Sequence, residues 1–159
     1  DGQPTIAFPG NGTITPAEII ENIAPIVVLE RSLRTDSGGP GEFRGGLGQT
    51  IRLTTLGRSV RMTIRPDKIR FPAPGLSGGH PGAAGALTRD GEVMPLEPFE
   101  LQPTQVVTLD LPGGGGFGDP RQRASAAVQG DLAEGKISLD AATNVYGHSP
   151  QPPMSAAAE

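Results

Sequence analysis

Two glycine clusters hold the residues with the most scope for chemistry in this 159-residue chain. The first reads Asp36-Ser37-Gly38-Gly39-Pro40-Gly41-Glu42-Phe43-Arg44-Gly45-Gly46-Leu47-Gly48. Glycine at that density lets the backbone take positive φ and lets a second backbone or a ligand come close. Such a loop can aim its N–H groups at an anion, as phosphate cradles do. It lacks the Gly-Lys-Ser/Thr ending of a P-loop and precedes no helical pattern. Turn-and-packing is therefore the favoured reading, with anion or nucleotide binding through residues 38–48 as the alternative. The second cluster, Pro112-Gly113-Gly114-Gly115-Gly116-Phe117-Gly118-Asp119-Pro120, follows a strand pattern and precedes a helical one. It fits G-x-G-x-x-G, but a run of glycines fits nearly anything, and no second β unit with a ribose-binding acid follows.

Within these loops Arg44 and His80 are the candidate substrate- or interface-binding residues. A guanidinium can grip a carboxylate or phosphate through two parallel N–H bonds, although an internal ion pair is the commoner use. His80, in Ser77-Gly78-Gly79-His80-Pro81-Gly82, has the right type for a ligand or an acid–base group, against a hydrogen-bonded structural or interface role that is weighted above it. His148 reads as a solvated residue of the tail. The chain has 2 His and no Cys, so no metal site is expected and disulfides and Cys-based zinc are excluded. G-x-S-x-G does not occur and the carboxylates form no evident pair, so no catalytic residue is assigned.

The elements that must position these loops are mainly strands. Thr15-Pro16-Ala17-Glu18 suggests a short helix with Thr15 as N-cap, Pro16 at N1 and a capping box, closed by Pro25. Ile26 to Leu29 reads as a strand running on toward Arg34. Period-two alternation marks strands at Thr50 to Thr54 and Ser59 to Arg65, with Leu56-Gly57-Arg58 as a hairpin turn between them. A long irregular loop spans residues 66–85, Arg89-Asp90-Gly91-Glu92 carries a hairpin signal, and Gln105 to Leu111 gives a strand. Asp119-Pro120 opens a helical pattern through Val128 and Leu132 that Gly135 stops, and Ser138 can cap a second helix up to Val145. The expected fold is mainly β with short C-terminal helices (α+β), its twisted antiparallel strands linked by Gly/Pro-rich loops. The expected division is a β-rich, glycine-rich domain over residues 1–120, a helical segment 121–147 and an extended Pro/Ala-rich tail 148–159.

Composition agrees with ordered turns around a thin core: 24 Gly, 17 Pro, 5 Phe, 1 Tyr and no Trp, leaving Val, Ile and Leu to carry it. The net charge of −4 hides an asymmetry, because residues 31–70 hold nine basic and three acidic side chains. Base-stacking aromatics are scarce and no nucleic-acid motif appears, so an Arg-rich sheet face or subunit contact is favoured over nucleic acid. No apolar run is long enough to span a bilayer and no secretory signal opens the chain, so a cytoplasmic location without membrane contact is expected.

The first glycine cluster, taken with its surroundings, resembles the signature of the hydantoinase B/5-oxoprolinase family. Thr15-Pro16-Ala17-Glu18 and Arg31-Ser32-Leu33-Arg34 lie upstream of it. Arg70-Phe71-Pro72, Gly75-Leu76-Ser77-Gly78-Gly79-His80-Pro81-Gly82, the run from Pro112 to Pro120 and Tyr146-Gly147 follow in the same order. The resemblance implies the C-terminal portion of a much longer subunit, of the kind found in N-methylhydantoinases, 5-oxoprolinases and acetone or acetophenone carboxylases. It implies a hetero-oligomer, in which the N-terminal portion of the B-type subunit carries the metal-binding His and Asp residues and a hydantoinase A-type partner binds ATP. ATP and a divalent metal would then belong to the complex, with no cofactor bound by this chain. The expected role is a structural and assembly segment of an ATP-dependent cyclic-amide hydrolase or ketone carboxylase, not catalytic alone.

Overall fold

In the computed structural model, residues 1–2, 15–64 and 68–148 are described. Among the described residues seven strands form two sheets: β1 (Ile26–Leu33), β2 (Gln49–Thr55), β3 (Val60–Met62), β4 (Ala86–Arg89), β5 (Glu92–Val93), β6 (Phe99–Leu101) and β7 (Val107–Asp110). The larger sheet has the order β1-β2-β7-β4-β5 and every pairing in it is antiparallel. The smaller sheet pairs β3 with β6, also antiparallel. The expected class, mainly β with antiparallel strands and short C-terminal helices, is the observed one.

Alternation sets which faces are buried. Leu87 of β4 and Val107 of β7 meet Leu101 of β6 in one buried cluster, with Met62, Phe99 and Leu109 packed around it. That cluster joins the two sheets, and Leu101 and Val107 are wholly excluded from solvent. Asp90 and Gly91 both take positive φ, as a two-residue type I′ hairpin requires. The β4–β5 hairpin is thus where its sequence signal puts it.

Three local expectations are corrected. Leu56-Gly57-Arg58 is not the turn of a β2–β3 hairpin; it carries the chain from one sheet to the other, where β3 pairs with β6. Alternation says that a strand has a buried face, but not which strand lies beside it. The first helix, α1 (Ala17–Ile23), is N-capped by Pro16 and has no side-chain cap. Thr15 lies outside it, and its carbonyl accepts from Arg31 Nη1 at 3.0 Å. The helical run after Asp119 is broken in two: a 3₁₀ turn (Pro120–Gln122) capped by Asp119, then α2 (Ser125–Ala133). Arg123, between them, is extended (φ −61°, ψ 130°), which turns its guanidinium toward two carboxylates.

Ser138 caps the last helical segment as expected, its Oγ accepting from Ala141 N–H at 3.1 Å, and the turn Ala141–Val145 follows with π geometry. Val128, Ile137, Ala142 and Tyr146 form a second buried cluster there. Arg65 at the end of the expected strand, and residues 149–159 of the expected tail, lie outside the described residues. His148 is not a solvated tail residue: Nδ1 meets Ser125 Oγ at 3.0 Å and Nε2 is buried.

Candidate functional site

Between the sheet and the helical segment three stretches of chain, 37–48, 74–83 and 111–118, are layered backbone on backbone. Gly39 N–H donates to Gly114 O (2.8 Å) and Gly114 N–H to Gly46 O (2.9 Å). His80 N–H donates to Pro40 O (2.7 Å), while His80 O accepts from Gly116 N–H (2.9 Å). Phe43 and Phe117 exchange both backbone bonds, at 2.9 and 3.0 Å. A methyl group at Gly39, Gly45, Gly79, Gly113, Gly115 or Gly116 would meet a facing backbone atom inside 3.0 Å. The glycines are required because segments touch where side chains would stand.

This arrangement bears on the anion-cradle alternative. The amides of Gly39, Glu42, Phe43 and Gly45 all donate to backbone carbonyls, and that of Gly48 to Ser37 Oγ. An anion-binding loop keeps its amides free and convergent. Here they are the ties of the layered structure.

Arg44 leaves this layer for a buried ion network. Its Nε and Nη2 reach Asp131 Oδ2 and Oδ1 at 3.0 and 3.3 Å, and its Nη1 donates to Gly45 O at 2.8 Å. Arg123 Nη2 reaches the same Asp131 Oδ2 at 2.8 Å, and both its Nη groups clasp the Asp1 carboxylate at 2.6 and 2.8 Å. Side-chain exposure is 5% for Arg44 and Asp131 and 3% for Arg123. Charges so far out of water survive only when paired and hydrogen-bonded. Arg44 therefore serves as an internal tie, joining the first glycine loop to α2 across 87 positions of sequence.

The two residues singled out from sequence are not brought into one side-chain cluster. Arg44 is buried, whereas the His80 imidazole is exposed and only its backbone enters the layer. Beside it Phe43 (51% exposed), Leu76 (64%) and Phe117 (49%) form an apolar patch, linked by the bridges Phe43↔Phe117 and Leu76↔Phe117. Part of the basic stretch 31–70 is taken up in pairings: Arg34 with Asp110, Arg52 with Glu30, and Arg61 opposite Glu100 in the register of β3 and β6.

Sequence reasoning missed Asp131, Arg123 and Tyr146. Asp131 carried one signal, a carboxylate three residues after Val128 on the apolar stripe of α2. Tyr146, the only tyrosine, is buried, and its hydroxyl has no close hydrogen-bond partner among the described residues, with Gly41 N–H the backbone donor that lies toward it. Burial raises its phenol above the ordinary value, and the nearby Arg123 and Arg44 pull the other way more weakly. Among the described residues no group of three or more His, Asp or Glu is placed to hold a metal ion, and no helix is long and apolar enough to cross a membrane.

Comparison with known proteins adds the following. The family model for hydantoinase B/oxoprolinase matches residues 1–120. An uncharacterized protein of Methanocaldococcus jannaschii is 38% identical over 137 residues, 83% of this chain and 24% of that protein. The caprolactamase beta subunit of Pseudomonas jessenii is 34% identical over 140 residues, 82% of this chain and 24% of that subunit. The crystal structure of the ATP-dependent caprolactamase from the same organism superposes on 86% of this chain and 25% of its own, with a TM-score of 0.70 and 30% identity. Nucleotide-free acetone carboxylase shares the fold at a TM-score of 0.66 and 22% identity, over 86% of this chain and 23% of that one. The chain thus spans about a quarter of the length of the curated relatives it matches.

Proposed function

The chain belongs to the hydantoinase B/oxoprolinase family, and we propose that it is the C-terminal structural and assembly segment of a hydantoinase B-type subunit in an ATP-dependent enzyme of cyclic-amide hydrolysis. The observation that carries this is the coverage: nearly the whole chain aligns with one quarter of the caprolactamase chain. Identity to caprolactamase and hydantoinase subunits, 34% and 31%, against 28% to the acetone carboxylase alpha subunit, favours hydrolysis over carboxylation. The Phe43/Leu76/Phe117 patch, rimmed by exposed His80, is the face on which the N-terminal portion of the subunit would rest. ATP, a divalent metal and the hydantoinase A-type partner belong to the rest of that assembly, in the cytoplasm.

The test is to purify the protein with the chains that accompany it and assay hydrolysis of caprolactam and hydantoin with and without ATP. ATP-dependent ring opening by the complex, absent from the isolated 159-residue chain, is the expected result. Hydrolysis by the isolated chain alone would overturn the proposal, as would a purified assembly lacking any nucleotide-binding chain.

A further inference from the structure

A cleft of about 510 Å³ opens where α2 begins and the last helical segment ends. Its polar lining is Arg121, Arg123, Ser125, Gln129, Tyr146 and His148. Among the described residues five buried side-chain polar atoms lack a hydrogen-bond partner, and three of them belong to this lining: Arg123 Nε, Tyr146 Oη and His148 Nε2. Buried polar groups are nearly always satisfied, so three orphans in one place call for a ligand.

All three can donate a hydrogen bond. Arg123 Nε can only donate. Tyr146 is 5% exposed, and burial keeps its phenol protonated, a donor at neutral pH. The Ser125 Oγ–His148 Nδ1 contact (3.0 Å) fits either ring tautomer, and in the one where Ser125 donates, Nε2 carries the hydrogen and can donate to a ligand. Among the described residues no carboxylate lines the cleft; Asp131 and Asp1 sit behind Arg123, on its Nη side. The N-cap of α2 is Ala124, which offers no side-chain cap, although Ala127 N–H in the first turn already donates to Ala124 O (2.9 Å). Arg121 adds a second guanidinium at the rim.

We propose that this cleft binds a small oxyanion, a carboxylate or a phosphate group, held by Arg123 Nε, Tyr146 Oη, His148 Nε2 and Arg121. This goes beyond the family reading and does not depend on it, since binding at the cleft involves no turnover.

The experiment is calorimetric titration of the whole 159-residue chain with inorganic phosphate and, separately, with acetate. At least one probe should bind saturably, and competition between the two tells which group is preferred. Tyr146→Phe should weaken binding about tenfold, the effect of one hydrogen bond to a charged group, with little change in the thermal midpoint, because the hydroxyl it removes makes no close hydrogen bond among the described residues. Arg121→Gln, at an exposed position, should weaken it to a similar degree, while Arg61→Gln on the small sheet should change nothing. If neither probe binds, or if both cleft variants bind as the parent does, the assignment is wrong.

Discussion

The sheet core and the glycine layer are held by opposite means, although they share the strand ends between them. Leu87, Leu101 and Val107 bury apolar side chains where the two sheets meet, and any side chain of similar volume and polarity serves there. In the layer 37–48/74–83/111–118 the contacts are backbone to backbone, and the side chains that tie it are the charges of Arg44, Arg123 and Asp131. The first region tolerates changes of identity within a pattern. The second depends on single atoms, since an added methyl or a lost carboxylate has nowhere to be absorbed.

The sharpest break of this contrast comes from two alanines. Gly45→Ala puts a methyl into the Gly114 carbonyl, and it should cost about 4 kcal/mol or more, or abolish folding. Gly130→Ala, inside α2 with open space around it, should stabilise by up to about 1 kcal/mol. Urea denaturation of the two variants reads both; equal effects would mean that the layer yields and that glycine is not required there.

Next in size is Asp131→Asn. It leaves Arg123 with only the half-exposed Asp1 carboxylate and the Arg44 guanidinium with no carboxylate partner, and loss of about 3–4 kcal/mol is expected from an uncompensated buried charge. Arg44→Met in the same chain should recover some of the loss, because one of the two stranded guanidinium groups is then gone. A double-mutant cycle with no recovery would show that Asp131 acts otherwise than as their shared counter-ion. Leu101→Ala should cost about 3 kcal/mol, but Leu101→Met no more than about 1.5 kcal/mol. That tolerance is the property the layer lacks.

The same contrast explains what the sequence could disclose. Period two found β2, β3 and β7, the apolar run after Pro25 found β1, and Asp90-Gly91 found the β4–β5 turn, since these are signals between residues a few positions apart. The partner of β3 was not legible, because Val60 and Met62 specify a buried face and Phe99 and Leu101 specify another, with nothing local to match them. Gly113 announces that something comes close, but not that it is Ser37. Arg44 was legible as an ion-pairing type, whereas its partner stands 87 residues on. The cleft was hidden for a further reason: Arg123 and His148 acquire meaning only from the break at residues 123–124 and the turn that ends at Gly147.

The smallest effect tests the second core cluster through its one titratable member. Tyr146 packs with Val128, Ile137 and Ala142, and burial raises its phenol above the ordinary value of about 10. An acid whose folded value is raised is stabilising to the fold while it stays protonated in both states, below the unfolded value. As pH climbs past about 10 the unfolded chain ionises first, and stability falls until the folded phenol ionises too. Chemical denaturation between pH 9 and roughly 11.5 should therefore show an alkaline loss that Tyr146→Phe removes, while stability at neutral pH stays level or rises slightly. Because the chain has one tyrosine and no tryptophan, phenolate absorbance follows this same group directly. It should rise late in the folded protein and at the ordinary value in urea. Coincident curves would place Tyr146 in water and detach it from the cluster that closes the helical side of the layer.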